Sequence, residues 1–497
     1  MTADLVLIKR CHAGYTPVYM TRATLPTSAS VIEPLELSIS VENAVVSFAG
    51  ADGAAILESS LQNEAYARFS IFACEPVDTL TIDDDASRCP FRASAEHSAK
   101  YPAVRNMKTH LPFVGGWIGY ITYEAGLTIE RINITTRRDV PLPAVRFNLY
   151  DAAAIYDHLE QRWYLVAVDW PKPLARRRPP VATRLARLRE RLNSATAPDA
   201  AGLPAILETR PAVPNMSYKA YLAKVARAKR YIEAGDIYQV NLTQRFTTRP
   251  DVSALTLYRQ LRQVSPSSHA ALLPWDEAAV ISSSPELFLQ LCDRHVVTRP
   301  IKGTRPRGAD PQSDAANRQA LIESDKDRAE LNMIVDLLRN DLGRVCSYGS
   351  VRVVSAGNIE EHPTVFHRVA TIEGDLAPQY SWVDLLRATF PGGSVTGAPK
   401  IRAMQIIDEL EPTARGVYCG SVGMIGLDGS LSFNIAIRTM VQVGDVVHLY
   451  AGGAIVADSV PEEEYNEILA KASGMLRALG CDSVAASAPF PCEVTES

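Results

Sequence analysis

The chain has 497 residues, 47% hydrophobic and 22% charged, a length beyond the size at which one core usually stops growing, so two packed subdomains are expected. Lys and Arg total 51 against 56 Asp and Glu, which excludes the global positive field of a nucleic-acid binder and favours small-molecule chemistry. No apolar run is long enough to span a bilayer, no leader-like stretch opens the chain, and the eight cysteines are scattered without C-x-x-C or His/Cys metal spacing, which together predict a soluble cytoplasmic protein.

Residues 1–170 alternate short apolar runs such as "ARFSIFA" and "RWYLVAV" with glycine-rich stretches such as "FVGGWIGY", read as turns, and predict a largely β region. From 171 to 214 the pattern changes to "PKPLARRRPP", the basic "TRLARLRERL" and the Ala- and Pro-rich "SATAPDAAGLPA". This reads as a connector with a solvated charged face. Next, "SYKAYLAKVARAKRYIEAGD" predicts a helix capped by Ser217, with Tyr221, Leu222, Val225 and Ile232 on one face and a stop at Gly235. Strands are expected in "AAVISSSPELFLQL", "GSVGMIG", "LSFNIAIRTMVQV" and "VVHLYAGGAIVA", and helices in 314–344, 399–410 and 461–478. This order predicts an α/β fold built on large antiparallel β-sheets flanked by helices rather than a regular βαβ series.

Asp327 and Glu330 lie three apart on one predicted helix, and Glu464, Glu467 and Lys471 form a stripe on another that opens with Pro461. Paired carboxylates without nitrogen or sulfur competitors suit Mg²⁺, although on spacing alone two salt-bridged exposed helix faces are the favoured reading. The loop "PGGSVTGAPK" fails as a Walker A motif because Ala398 and Pro399 follow Gly397; the helix start after Pro399 still offers N–H groups to an anion. Cys419 in "VYCGS" lacks the glycine pattern of a nucleophile elbow, so no glutamine-hydrolysing thiol is visible. His362 and His367 carry no assignment from spacing.

Taken together, "ILESS", "PFVGGWIGYITYE", "GDIYQVNLTQRF", "SSSPELFL", "PIKGTRPRG", "DRAELNMIVDLLRNDLGRV", "HPTVFHRV", "GGSVTGAPKIRAMQIIDELEP" and "AGGAIVADSVPEEEYNEILAKA" resemble the chorismate-utilising enzymes. This family includes anthranilate synthase component I, aminodeoxychorismate synthase component I and the isochorismate and salicylate synthases. The resemblance implies a complex two-subdomain chorismate-binding fold, with an N-terminal region at 1–170, a connector at 171–214, a catalytic domain at 215–480 and a tail at 481–497. It implies Mg²⁺ held by Glu330 and Glu467, supported by Asp327 and Glu464. It further implies that Thr396, Gly397, Gly452 and Lys471 contact substrate carboxylate, Tyr418 and Arg438 hold the enolpyruvyl group, and His367 sits beside the departing group. Ser59, Arg68 and Phe69 match a tryptophan pocket, but its "P-S-P-Y" partner reads "PSSH" here.

Within the family the box around Lys302 separates two chemistries. Anthranilate synthases have alanine in "PIAGT"; the aminodeoxychorismate type has lysine in "PIKGT", with an acid matching Glu286, and this chain has both residues. Lysine addition at C2 of chorismate forces ammonia to C4, giving the para-amino series. A neutral amine is needed, and lowering a lysine pKa from about 10.4 to about 7 takes roughly 4–5 kcal/mol. Arg299, Arg305 and Arg307, close in sequence, are like charges of the sort that lower a lysine pKa, and the sequence leaves open whether they reach Lys302. The expected reaction is amination of chorismate to 4-amino-4-deoxychorismate, with ammonia from a separate glutamine amidotransferase subunit because the chain leaves no room for a fused one; anthranilate formation is the alternative.

Overall fold

The computed structural model describes residues 27–61, 67–83, 89–104, 109–130, 132, 134–195, 211–363, 365–481 and 484. Apart from 481 and 484, the tail at 481–497 lies outside them, as does 196–210 of the connector.

Two antiparallel sheets dominate. Among the described residues, the larger has twelve strands and runs Ala29–Leu35, Arg162–Asp169, Ala152–Asp157, Phe69–Ala73, Ala55–Glu58, His269–Trp275, Ala278–Ser284, Thr439–Val443, Val446–Ile455, Gln239–Thr248 and Gly397–Ala398, with Val213–Pro214 also on Gln239–Thr248. The smaller has ten and runs Ile301–Pro306, Val365–Asp375, His295–Arg299, Leu287–Cys292, Leu431–Asn434, Ser421–Gly426, Gly116–Ile121, Val145–Tyr150 and Asp78–Ile82, with Arg352–Glu361 also on Val365–Asp375. The expected α/β architecture is therefore present. Each sheet takes strands from both sides of 171–214, so that stretch joins two parts of the sequence without dividing the sheets.

Three local readings change. "GGWIGY" is a buried strand, Gly116–Ile121, and not a turn. A Cβ on Gly119 would stand 1.9 Å from the Arg146 carbonyl oxygen, so that glycine serves close strand approach. The connector's basic segment forms the helix Val181–Asn193, which keeps a solvated charged face at Arg187 and Glu190 but buries Arg184, Leu185, Leu188 and Leu192 against Arg162–Asp169. Arg184 is held there by Asp151 and by the carbonyls of Asp151 and Val168. Finally, 314–344 is two helices, Pro311–Glu323 and Asp325–Gly343. Ser324 ends the first and caps the second, its hydroxyl accepting from Asp327 N.

The helix Tyr218–Glu233 forms as expected: the Ser217 hydroxyl accepts from Ala220 N, and Gly235 follows at φ +80°. Tyr221 and Val225 are buried, joined by Ala228, while Leu222 and Ile232 are only partly covered. Among the described residues no helix is long and apolar enough to cross a membrane.

Candidate active site

Lys302 lies on the edge strand Ile301–Pro306, whose register against Val365–Asp375 slips between Ile301 and Thr304. The extra residue makes a bulge, a device that re-aims side chains. Gly303, at φ +93°, explains the next letter of the box. A Cβ there would come within 2.9 Å of Asp327 Cγ, so only glycine lets the Asp325–Gly343 helix close on this strand.

Burial lowers the Lys302 pKa, and Lys471 adds to the shift, against Glu330, Glu286 and Glu467, which oppose it. The three arginines close to Lys302 in sequence are not among the causes. Arg299 pairs with Glu360, Arg305 with Asp327 at 3.0 Å and Arg307 with Asp314 at 2.7 Å. Each is neutralised by its own carboxylate, whereas desolvation acts on Lys302 itself.

Glu286 is buried, 4% exposed, at the turn between Ala278–Ser284 and Leu287–Cys292. Burial pushes its carboxyl up to about 7, despite support to the charged form from the Ser394 hydroxyl, Lys302 and the Ile301 N–H. Glu286 thus holds a proton near neutral pH beside an amine biased toward its neutral form. Ser394 went unnoticed in the sequence because in "GGSVTGAP" only the glycines and Thr396 were weighed.

The carboxylates converge as expected. Glu330 and Asp327 project from Asp325–Gly343, and Glu464 and Glu467 from Pro461–Ala478, a helix packed on Val446–Ile455. A Cβ on Gly453 would stand 3.1 Å from Glu464 Oε2 and 3.6 Å from Glu467 Oε1, so Gly453 leaves room for Glu464. Lys471 Nζ bridges Glu467 Oε1 at 2.6 Å and the Gly452 carbonyl at 3.0 Å. Burial raises the Glu330 and Glu464 carboxyls, and Glu330 also feels Glu467 and Asp327. Burial would raise Glu467 too, but Lys471, Lys326 and Lys302 bring it below its ordinary value. Glu464 is 2% exposed and accepts from Ser459 at 2.6 Å through Oε1; its Oε2 is buried without a hydrogen-bond partner among the described residues. An orphaned carboxylate oxygen in an all-oxygen cluster fits a hard divalent cation such as Mg²⁺.

On the other side of Lys302, His367 is buried and its Nδ1 lies 2.8 Å from the Thr304 hydroxyl. Burial, with Arg438 and His362 nearby, holds its pKa well below the ordinary value, so the imidazole is neutral. Arg438 has φ +48°, a strained conformation for a side-chain-bearing residue, and its guanidinium has no ion-pair partner among the described residues. A desolvated cation without a partner asks for an anionic ligand. Tyr418 is buried and stacked on Tyr450, with ring centroids 5.2 Å apart.

Thr396 is fully buried and donates to Gly392 O at 3.0 Å, and Gly397 lies against Gln239, where a Cβ would stand 2.2 Å from the carbonyl oxygen. Arg415, which sequence reading passed over, pins this turn. It bonds Val395 O and Asn241 O, each at 2.9 Å, and pairs with Glu411 at 2.7 Å, all out of water. Breaking such a buried pair typically costs about 3–5 kcal/mol.

Ser59, Arg68 and Phe69 line a separate cleft of about 860 Å³. Arg68 is committed to Asp157, and the Ser59 hydroxyl faces Phe69 O at 3.0 Å and Ser268 O at 3.2 Å. His110, Asp157 and Glu160 also cluster there, but Arg68 already supplies the positive charge between the two acids.

A family model described as chorismate binding enzyme matches residues 55–477. The chain belongs to the chorismate-binding enzyme family. Aminodeoxychorismate synthase component 1 of Klebsiella aerogenes is 40% identical over 438 residues, 86% of this chain and 93% of that protein. Anthranilate synthase component 1 of Thermus thermophilus is 38% identical over 432 residues, 85% and 91% of the respective chains. The solved structure of anthranilate synthase component I from Streptococcus pneumoniae TIGR4 aligns with a TM-score of 0.71 at 30% identity, covering 84% of this chain and 93% of that one. Membership in the chorismate-binding family and the shared fold follow from these matches; identity alone does not separate the two amination chemistries.

Proposed function

We propose that the chain is the synthase component that converts chorismate and ammonia to 4-amino-4-deoxychorismate, the branch leading to p-aminobenzoate and folate, in the cytoplasm. The observation that carries this is Lys302, bulged into the site with a lowered pKa, beside a Glu286 that titrates at about 7. In this reading the neutral Lys302 Nζ forms a bond to C2, the two conjugated ring double bonds shift from C1=C2 and C5=C6 to C1=C6 and C4=C5, and the C4 hydroxyl leaves as water with the Glu286 proton. Ammonia then bonds to C4 and the C2–Nζ bond breaks, returning the lysine. Arg438 pairs with the side-chain carboxylate, and neutral His367 lies beside the departing group.

Mg²⁺ would be held by Glu330 and Glu467, with Asp327 and Glu464 behind them, and when bound it would supply positive charge to the ring carboxylate. Ammonia would come from a glutamine amidotransferase subunit. Accordingly, purified chain with chorismate, Mg²⁺ and ammonium at alkaline pH is expected to release 4-amino-4-deoxychorismate, which added lyase turns into p-aminobenzoate, while glutamine works only with the second subunit present. Anthranilate as the main product would move the chain to the ortho-directing chemistry.

The pH dependence has a definite sign. Glu286, raised to about 7, keeps its proton below that pH and loses it above, whereas Lys302 loses its proton as pH rises. Addition to C2, followed without ammonia, is therefore expected to be bell-shaped in pH, with the alkaline limb near Glu286's value. Glu286→Gln should slow it by roughly 10²–10⁴-fold and remove that limb. An alkaline limb that survives in Glu286→Gln would assign the proton to another group.

A further inference from the structure

The acids of the metal site are matched before any metal arrives. Arg305 pairs with Asp327 at 3.0 Å and Lys471 with Glu467 at 2.6 Å, while Lys326 Nζ lies 3.7 Å from Glu464 Oε1. Lys302 is within electrostatic reach of Glu330. Four carboxylates thus face four cationic side chains. Lys471 also bonds the Gly452 carbonyl, and Lys302 is the proposed nucleophile. Lys326 differs: it stands on the first turn of Asp325–Gly343, its side chain is 53% exposed, and among the described residues Glu464 is its one ion-pair partner. Its long flexible stem lets the ammonium leave for water with little disruption.

Resting on the Mg²⁺ reading above, we infer that Lys326 is the resident countercharge of this site, neutralising the acids in the metal-free protein and yielding its place to the divalent cation. A fixed positive charge beside a cation site weakens binding of that cation, so Lys326 makes the free enzyme's metal affinity lower than its carboxylates alone would give.

The test is Mn²⁺ binding to the full chain without substrate, at fixed ionic strength, read as free Mn²⁺ by electron paramagnetic resonance. Lys326→Gln is expected to bind at least about threefold more tightly than wild type. Lys326→Arg, which keeps the charge, should stay near wild type, and Glu467→Gln should lose binding. If Lys326→Gln binds no more tightly while Glu467→Gln still abolishes binding, the inference fails and the metal reading stands. A wild-type chain that binds no Mn²⁺, or a Glu467→Gln chain that binds it undiminished, overturns both.

Discussion

Lys302→Ala is expected to lower formation of the para-amino product by at least about 10³-fold, because in the proposed reaction it removes the atom that forms the bond to C2 and not merely a contact that assists it. The substitution recreates the "PIAGT" box of the ortho-directing relatives, so ammonia gains direct access to C2 and anthranilate-type product is expected in small amount. The fold should tolerate the change: Lys302 is only partly buried, on an edge strand, and has no ion-pair partner among the described residues. The assay is product analysis by chromatography, with anthranilate fluorescence as a second channel. Wild-type para yield from the alanine variant would remove Lys302 from the mechanism.

Glu467→Gln should be nearly as damaging. In the proposed site it removes one of the two Mg²⁺ ligands, and it leaves Lys471 without its 2.6 Å carboxylate partner. Loss of a ligand is expected to cost at least about 10²-fold in turnover, since even altering groups that only support metal ligands typically costs 10–100-fold. Glu467 is well exposed for a site residue, its side chain at 44%, so thermal stability should change little. In the wild type, chelation should abolish activity and added Mg²⁺ should restore it. Full turnover in metal-free buffer would contradict this assignment.

Much of the site was legible because its residues sit at helical spacing on two helices. Asp327 with Glu330, and Glu464 with Glu467 and Lys471, were readable as stripes, and the structure brings the two helices together, with Lys326 Nζ 3.7 Å from Glu464 and Glu330 within electrostatic reach of Glu467. That convergence depends on tertiary packing, so spacing alone left the surface salt-bridge reading open. The arginines around Lys302 show the opposite limit. Sequence proximity put three positive charges near the lysine, but Glu360, Asp327 and Asp314, distant or unremarked in the sequence, claim them. Desolvation and Lys471 shift Lys302 instead.

The fold shows the same division. Alternating strands and capped helices were local and readable, as at Ser217. Which strands share a sheet was not: Gly116–Ile121 lies beside Ser421–Gly426, across some three hundred residues of chain, and its glycines looked like turn residues until their neighbours were known. Ser394 and Lys326 were missed because each acts through a partner remote in sequence, and Arg415 because it ties Val395 and Asn241 together, although its ion-pair partner Glu411 is four residues away.

Intact-protein mass spectrometry of the wild-type chain, incubated with chorismate and Mg²⁺ but no ammonia and quenched rapidly, tests the central claim most directly. The double displacement requires a covalent species in which chorismate, less the C4 hydroxyl lost as water, is bonded through C2 to Lys302. The expected result is an adduct of that mass, mapping to the peptide that contains Lys302 and absent from Lys302→Ala. Chorismate turned over to 4-amino-4-deoxychorismate when ammonia is supplied, with no adduct on Lys302 when it is withheld, would contradict it.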